Sequence, residues 1–597
     1  MNFKKERMMY MKENIYRTHH CCDIDKNMVG EKVVVSGWIE NIRDHGGVLF
    51  LDLRDNTETL QTVSNDDSLF VGLAKESVVR LTGIIRKRDE ETYNDRIKTG
   101  EVEMLVEKLE VLSPSLHELP FGIMNSKDAS EEVRLKYRYL DLRNNKVKEN
   151  FKLRSDVLHF LRNKMYDLGF MEVQTPILTA SSPEGARDFV VPSRNFKGKF
   201  YALPQAPQIY KELLMVGGVE KYFQIAPCFR DEDARADRTL EFYQLDMEMS
   251  YVTEDEVLEV GEDIFYDVFT KFSKKNVSPK PFRRISYKDA MDFYGTDKPD
   301  LRNPLLINDA TEVLKDTTFG PFKKSTIKVI VVPNIGDKSN SWFNEVVDYA
   351  SSIGMPGIGY LTLLEDGTFK GPIDKFLSDK ERADLVQEFK MEKNAVIFFI
   401  ANKHKGTAVK YAGLIRTYLG QKLELIDNDK LELCIVKDFP MFEYDEVNKK
   451  YEFCHNPFSL PHGGISDYQS GKDVLDILAY QYDFVCNGNE MASGAIRNHD
   501  LDSLAKGFEV VGYSRDEVEQ RFNSIFTAFK YGCPPHGGMA PGIDRILMLI
   551  KDEPNLREVQ AFPTSASGAD NMMGSPSELT KEQLKELGIK VEVKKGE

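Results

Sequence analysis

The stretch Phe229–Tyr251, FRDEDARADRTLEFYQLDMEMSY, sorts its charged and apolar residues with a two-residue period. Phe242, Gln244, Asp246 and Glu248 fall on one face, and Tyr243, Leu245, Met247, Met249 and Tyr251 on the other. The first face reads as chemistry and the second as core. Immediately upstream, KYFQIAPCFR (221–230) alternates in the same way and delivers Arg230 at its end. Two antiparallel strands joined by a charged loop, Asp231 to Thr239, are therefore expected. An arginine, a flat aromatic and carboxylates on one sheet surface are the parts needed to hold a nucleotide with its metal. A solvated strand face beside a structural ion pair has a similar composition, so the segment is not decisive alone.

Three further blocks carry compatible chemistry. In YQYDFVCNGNEMASGAIR (480–497) the Asn487-Gly488 step signals a hairpin that brings Asp483, Glu490 and Arg497 into one sheet. Carboxylates on adjacent strands suit magnesium, which takes few protein oxygens and completes its shell with phosphates. In HGGMAPGIDRILMLIK (536–551) Gly538, Ala540 and Gly542 are spaced for close backbone approach, and the apolar helix that follows holds Arg545 near its N-terminus, where phosphate is favoured. SSPEGARDF places Glu184 in a loop, and YALPQAPQIYKELLM sets Gln208 and Lys211 three apart on a helix face. These could offer an anion to an amine and a cation to a carboxylate.

A chain of 597 residues exceeds what one core supports, so about three or four domains are expected. Hydrophobic residues make up 41%, the mean hydropathy is -0.41 and no apolar run has membrane length, which reads as a large cytoplasmic-type protein without a membrane segment. The net charge of -16 argues against a general nucleic-acid-coating surface but leaves room for a local basic groove. The seven cysteines show no CxxC spacing, which fits a reducing compartment and disfavours a disulfide framework. The run His19, His20, Cys21, Cys22 cannot easily converge on one ion and is not taken as a metal site. The first residues lack a secretory pattern, and Met11 could equally be the initiator.

From about Lys32 to Leu112, short alternating segments (VVVSGWIE, GVLFLDLRD, ESVVRLTGIIRKRD, GEVEMLVEKLEVL) suggest a small barrel of the oligonucleotide-binding type. A proline-punctuated linker follows, then a helical pattern ending at Gly169. After Glu254 comes a helix. Residues 295–429 change character, contain no convergent charged motif and read as an inserted domain. The expected division is 1–15 extension, 16–115 barrel, 116–145 linker, 146–294 first half of a catalytic domain, 295–429 insertion, 430–577 second half and 578–597 tail.

GFMEVQTPIL with Pro176, FRDE with Arg230 and Glu232, and GxAxGxDR ending in Arg545 resemble, in order, the three signature motifs of class II aminoacyl-tRNA synthetases. LKYRYLDLR (135–143) looks like the subclass with an N-terminal anticodon-binding barrel. SPEGARDF, KGKFYALPQAPQ and FRDEDARADR resemble the bacterial-type aspartyl branch, with similarity from about Tyr16 onward that includes an insertion like a domain shared with a tRNA amidotransferase subunit. The resemblance implies a multidomain α+β protein: an N-terminal OB-type β-barrel, a catalytic domain of antiparallel sheet with helices, and an inserted α+β domain.

It also implies roles. Arg230 would hold the α-phosphate and the substrate carboxylate, Glu232 would contact adenine, Phe242 would stack on the base, and Arg545 would grip the γ-phosphate. Asp231, Thr239, Gly542, Ile543 and Asp544 fall at further ATP-contact positions. Asp483, Glu490 and Glu248 would carry Mg2+. The aspartate side chain would meet Arg497 and Lys211, with Asp246 orienting the lysine; Glu184 and Gln208 would hold the amino end, and His455 would also meet the substrate. In the barrel, Arg43, Phe50 and Gln61 match positions that bind anticodon bases, although Phe50 could equally be a core residue. Implied partners are ATP, L-aspartate, tRNA(Asp) and a second copy of the chain, with tRNA(Asn) left open by a likeness of His45-Gly46 to relatives with relaxed tRNA choice.

Several positions depart from the family pattern: Asn41-Ile42 before Arg43, Gln174 for Glu, Thr239-Leu240 for Gln-Pro, and Asn456 for the second of two histidines. None removes a central charge. An asparagine- or lysine-charging relative is the nearest rival, and Arg497 argues against lysine, whose ammonium needs a carboxylate. A non-catalytic RNA-binding paralogue is disfavoured because Arg230, Glu232, Glu490, Arg497 and Arg545 all remain.

Overall fold

The computed structural model describes residues 14–45, 48–181, 186–446 and 448–592, in two compact units that divide at Asn125 and Ser126. The first unit is a closed barrel of β1 (Lys32–His45), β2 (Val48–Arg54), β3 (Thr59–Ser64), β4 (Val78–Lys87) and β5 (Val102–Ser113), in the order β1-β2-β3-β5-β4. Alternation drives it: Leu51, Leu53, Val79, Leu81 and Ile85 point into one apolar core. Strand β3, TLQTVS, was not among the segments picked out by periodicity; its six residues are too few and too polar to stand out.

The second unit is built on an eight-stranded sheet. Its strands are β6 (Met171–Glu172), β7 (Lys221–Phe229), β8 (Glu241–Ser250), β9 (Arg283–Ser286), β10 (Leu433–Pro440), β11 (Leu478–Cys486), β12 (Asn489–Ile496) and β13 (His536–Met539). In space they run β9-β10-β11-β12-β13-β8-β7-β6, antiparallel except for the two outermost pairs. The hairpin read from the sequence is β7–β8, with Glu241 opposite Phe229 and Asp246 opposite Gln224. The turn between β11 and β12 has positive φ at both Asn487 and Gly488, as a two-residue hairpin requires.

One face of this sheet is dry. Helices α1 (Asn145–Asp167) and α2 (Glu254–Phe272) lay Val157, Leu161, Met165, Val257, Phe265 and Phe269 over Leu245, Met247, Met249 and Phe484. Gly261 lets α2 come close, since a Cβ there would sit 2.3 Å from the Phe484 ring. Tyr251, assigned to this core face by periodicity, is 70% exposed: β8 ends at Ser250, and Tyr251 turns out with φ 57°. The opposite face carries the charged side chains.

Between β9 and β10 the chain forms a separate five-stranded sheet (residues 307–402) with two apolar clusters of its own. Helix α3 (Lys405–Lys422) packs on that sheet and leads back to the large one. No helix among the described residues is long and apolar enough to cross a membrane.

Candidate active site

The charged face of the sheet floors a cavity of about 360 Å³ lined by β8, β12, the loop after β7, the start of a helix at Gln208, residues 455–457 and a second helix N-terminus. Of the residues named from the sequence, Gln208, Lys211, Arg230, Glu232, Thr239, Phe242, Asp246, His455, Glu490, Arg497, Gly542, Asp544 and Arg545 line it. Glu184 lies outside the described residues. Asp231 is absent from the wall; it pairs with Arg187, with its backbone N–H donating to the Arg187 carbonyl at 3.0 Å. The side chain of Ile543 is in the core rather than the cavity.

At one end the Arg230 guanidinium stands 5.0 Å over the Phe242 ring, making a flat cationic surface. Glu232 is held by Arg238 at 3.1 Å. Helix α4 (Ile543–Lys551) begins beside them, and Arg545 donates to the Glu490 carbonyl at 2.6 Å. Asp544 is structural as well as lining: Arg154 of α1 binds it and Gln560 donates to it at 3.0 Å. Gly538 is required by close approach, because a Cβ would lie 2.1 Å from the Met247 carbonyl. At Gly542 the nearest atom is 3.8 Å away, so crowding does not explain that glycine.

At the other end the cations are buried and braced. Arg497 is 2% exposed, with Nε and Nη2 donating to Glu248 at 2.8 and 3.0 Å. Lys211, on a helix spanning Gln208–Val216, reaches Asp246 at 2.8 Å and Glu248 at 3.4 Å. This corrects the reading of Glu248 as a magnesium ligand, since both of its oxygens are engaged by Arg497. Burial raises the Glu248 pKa, but Arg497 and Lys211 outweigh it and hold the carboxyl below the usual range. Burial dominates at Asp246, which is raised despite Lys211. Behind them is a pair that sequence reasoning missed. Gln208 donates to Glu212 at 2.6 Å, and His536 Nε2 stands 3.4 Å from Glu212, in ion-pair range without hydrogen-bond alignment. Burial lowers the His536 pKa, yet Cys533 and Glu212 more than offset it and take the imidazole to about 10.

Asp483 and Glu490 form the acidic corner. Both Asp483 oxygens are buried without a hydrogen-bond partner, and His455 Nε2 is 3.7 Å away. Burial raises the Glu490 pKa, but Lys298, Arg545 and His455 together lower it. Two such carboxylates, one with orphaned oxygens, fit a magnesium ion that takes its other ligands from phosphate. Lys298, from the segment read as lacking convergent charge, sits 3.3 Å from Glu490 and 3.7 Å from Asp483.

In the barrel, Arg43 faces Phe50 across β1–β2 and donates to Asp52 at 2.6 Å and to Gln61 at 3.3 Å. Phe50 is half-buried and outside the apolar core, and Gln61, buried, joins Arg43 to Glu103, to which it donates at 2.7 Å.

With this geometry in place, comparison with known proteins is decisive at the level of class. The chain belongs to the class II tRNA synthetases (D, K and N), whose family model matches residues 130–566, and an OB-fold nucleic acid binding domain matches 33–112. It is 49% identical to the Aspartate--tRNA(Asp/Asn) ligase of Wolbachia sp. subsp. Drosophila simulans (strain wRi), over 97% of this chain and 100% of the relative. It is 48% identical to the protein of that name from Ehrlichia ruminantium (strain Welgevonden), over 97% and 99%. In fold it is similar to asparaginyl-tRNA synthetase from Pyrococcus horikoshii complexed with asparaginyl-adenylate (TM-score 0.56, 20% identity, 92% of this chain and 98% of that one). Aspartyl tRNA synthetase from Entamoeba histolytica gives a TM-score of 0.53 at 20% identity, over 90% and 89%.

Proposed function

We propose that the chain is an aspartate-tRNA ligase: it activates L-aspartate with ATP to aspartyl-adenylate and pyrophosphate, then transfers aspartate to the terminal adenosine of tRNA. The observation that carries the reading is Arg497, a buried guanidinium in the cavity wall whose Nε and Nη2 are fixed by Glu248, leaving Nη1 as the nitrogen that salt bridge does not use. A side-chain carboxylate accepts from Arg497 and Lys211. An amide would present donors to donors and leave a buried cation unanswered.

The reaction joins two anions, so the site's work is alignment and charge neutralisation. The aspartate α-carboxylate attacks the α-phosphorus, and the bond to the pyrophosphate oxygen breaks. Arg230 spans the α-phosphate and the carboxylate, Phe242 stacks with adenine, and Arg545 holds the far end of the triphosphate. Magnesium, when bound with the nucleotide at Asp483 and Glu490, supplies further positive charge to the phosphates. In the second half-reaction the 3′-hydroxyl of the tRNA attacks the acyl carbon and AMP leaves. No side-chain base is assigned; the departing phosphate takes the proton.

Arg43, Phe50 and Gln61 bind anticodon bases by stacking and hydrogen bonding. The relatives' names support both tRNA(Asp) and tRNA(Asn) as acceptors. Exposed Tyr166, Met171, Ile177 and Leu178 around edge strand β6 support a homodimer. The test is aminoacylation with aspartate on tRNA(Asp) and tRNA(Asn) transcripts; no aspartylation of either refutes the function, and a monomeric mass by solution scattering refutes the dimer.

A further inference from the structure

The loop after the helix Tyr287–Tyr294, which follows β9, carries Gly295, Thr296, Asp297, Lys298, Pro299 and Asp300, where the chain passes from the catalytic sheet to the inserted one. Its lysine returns to that sheet: the ammonium lies 3.3 Å from Glu490 and 3.7 Å from Asp483, and is also bonded to Asp297. The loop is fastened from the inserted side. Arg416 of α3, buried, donates to the carbonyls of Asp300, Asn303 and Leu305 at 3.0, 2.7 and 2.6 Å. Gly295 abuts Gly413 of α3 so closely that a Cβ on either would come within 2.5 Å of the other's backbone. Arg302 ties Asp300 in turn, at 2.7 and 3.0 Å. A flexible surface lysine needs none of this bracing.

We infer that Lys298 is a positioning residue that keeps a bare divalent cation out of the Asp483–Glu490 corner, so that the metal enters only with the nucleotide. This rests on the proposed ATP-dependent activity and deepens it. Two carboxylates gathered round one point, Glu490 in the cavity wall and Asp483 buried beside it, attract a dication. An ammonium within 4 Å of both removes one unit of that attraction and occupies the approach. Phosphate oxygens arriving with their own metal restore the balance, because they bring negative charge for Lys298 and for the metal together. The insertion thereby acts on the chemistry by holding one side chain in place.

The test is Mn2+ binding to the full chain without nucleotide, followed by electron paramagnetic resonance, for wild type, Lys298→Gln, Lys298→Met and Lys298→Gln with Glu490→Gln. Wild type is expected to show no tight site. Either single variant should gain one Mn2+ bound at least about tenfold tighter, and the added Glu490→Gln should remove it. A tight Mn2+ site in wild type overturns the inference whether or not any variant folds, and so does a folded variant with wild-type affinity. Aspartate-dependent pyrophosphate exchange by the same wild-type preparation tests the enzymatic reading separately: absent exchange refutes that reading, while the Mn2+ result alone decides the role of Lys298.

Discussion

Replacing Arg497 with leucine removes, on the proposed reading, a charge-assisted contact between a buried guanidinium and the substrate carboxylate. Truncating one partner of such a pair costs about 2–5 kcal/mol. At 1.36 kcal/mol per tenfold, kcat/KM for aspartate should fall between about 30-fold and about 5,000-fold. Arg230, Phe242 and Arg545 are untouched, so ATP affinity should stay within about threefold of wild type. The substitution also removes both hydrogen bonds to buried Glu248, leaving it Lys211 at 3.4 Å, and breaking a buried pair costs about 3–5 kcal/mol of stability. Adding Glu248→Gln separates the two effects, because it removes the buried charge without restoring the substrate contact. Melting temperature should recover in the double variant while aspartate-dependent pyrophosphate exchange stays low. Exchange within about tenfold of wild type in Arg497→Leu, or recovered exchange in the double variant, would refute Arg497 as the carboxylate receptor.

Three further outcomes are expected. His536, facing Glu212, Glu248 and Cys533, has a pKa raised from 6.5 to about 10, so its contribution to stability is full below pH 6.5 and fades as the pH climbs towards 10. His536→Gln should flatten the denaturation profile across that window; an unchanged slope counts against the buried imidazolium. Gly538→Ala forces a Cβ against the Met247 carbonyl and the Glu248 carboxylate and should destabilise the chain by about 1–3 kcal/mol, with an unshifted melting temperature as the contrary result. Arg43→Ala and Phe50→Ala should raise the KM for tRNA by about tenfold while leaving pyrophosphate exchange intact, and an equal loss in both assays would assign them to barrel stability instead.

The β7–β8 hairpin was legible because alternation over ten residues leaves one way to bury Leu245, Met247 and Met249. The Asn487-Gly488 turn was legible because few residue pairs accept positive φ twice in succession. The same reasoning over-extended to Tyr251, where the strand has already ended. Glu212 and His536 escaped notice: within QIYKELLM an acid reads as the solvent side of a helix, and only the fold reveals it buried beside an imidazole. Lys298 escaped for a different reason. Its loop has no period to mark an orientation, and its partners are far away in the chain. Glu248 was misread because a carboxylate on the charged face suits a metal and an arginine equally well, and the partner is chosen only in three dimensions.

The pairing of Glu248 with Arg497 spans 249 positions of chain. On a ribosome that emits the N-terminal end first, the acid leaves the tunnel long before its cation exists. During that interval the β7–β8 hairpin has neither β13 beside it nor a guanidinium to neutralise its carboxylate, so it cannot settle as the centre of a sheet. The stretch made meanwhile, with two apolar clusters of its own, has what it needs to collapse independently. A nascent chain halted before residue 497 would therefore present a finished lobe joined to an unfinished half-sheet, and protease protection should reach the two at different lengths of translation.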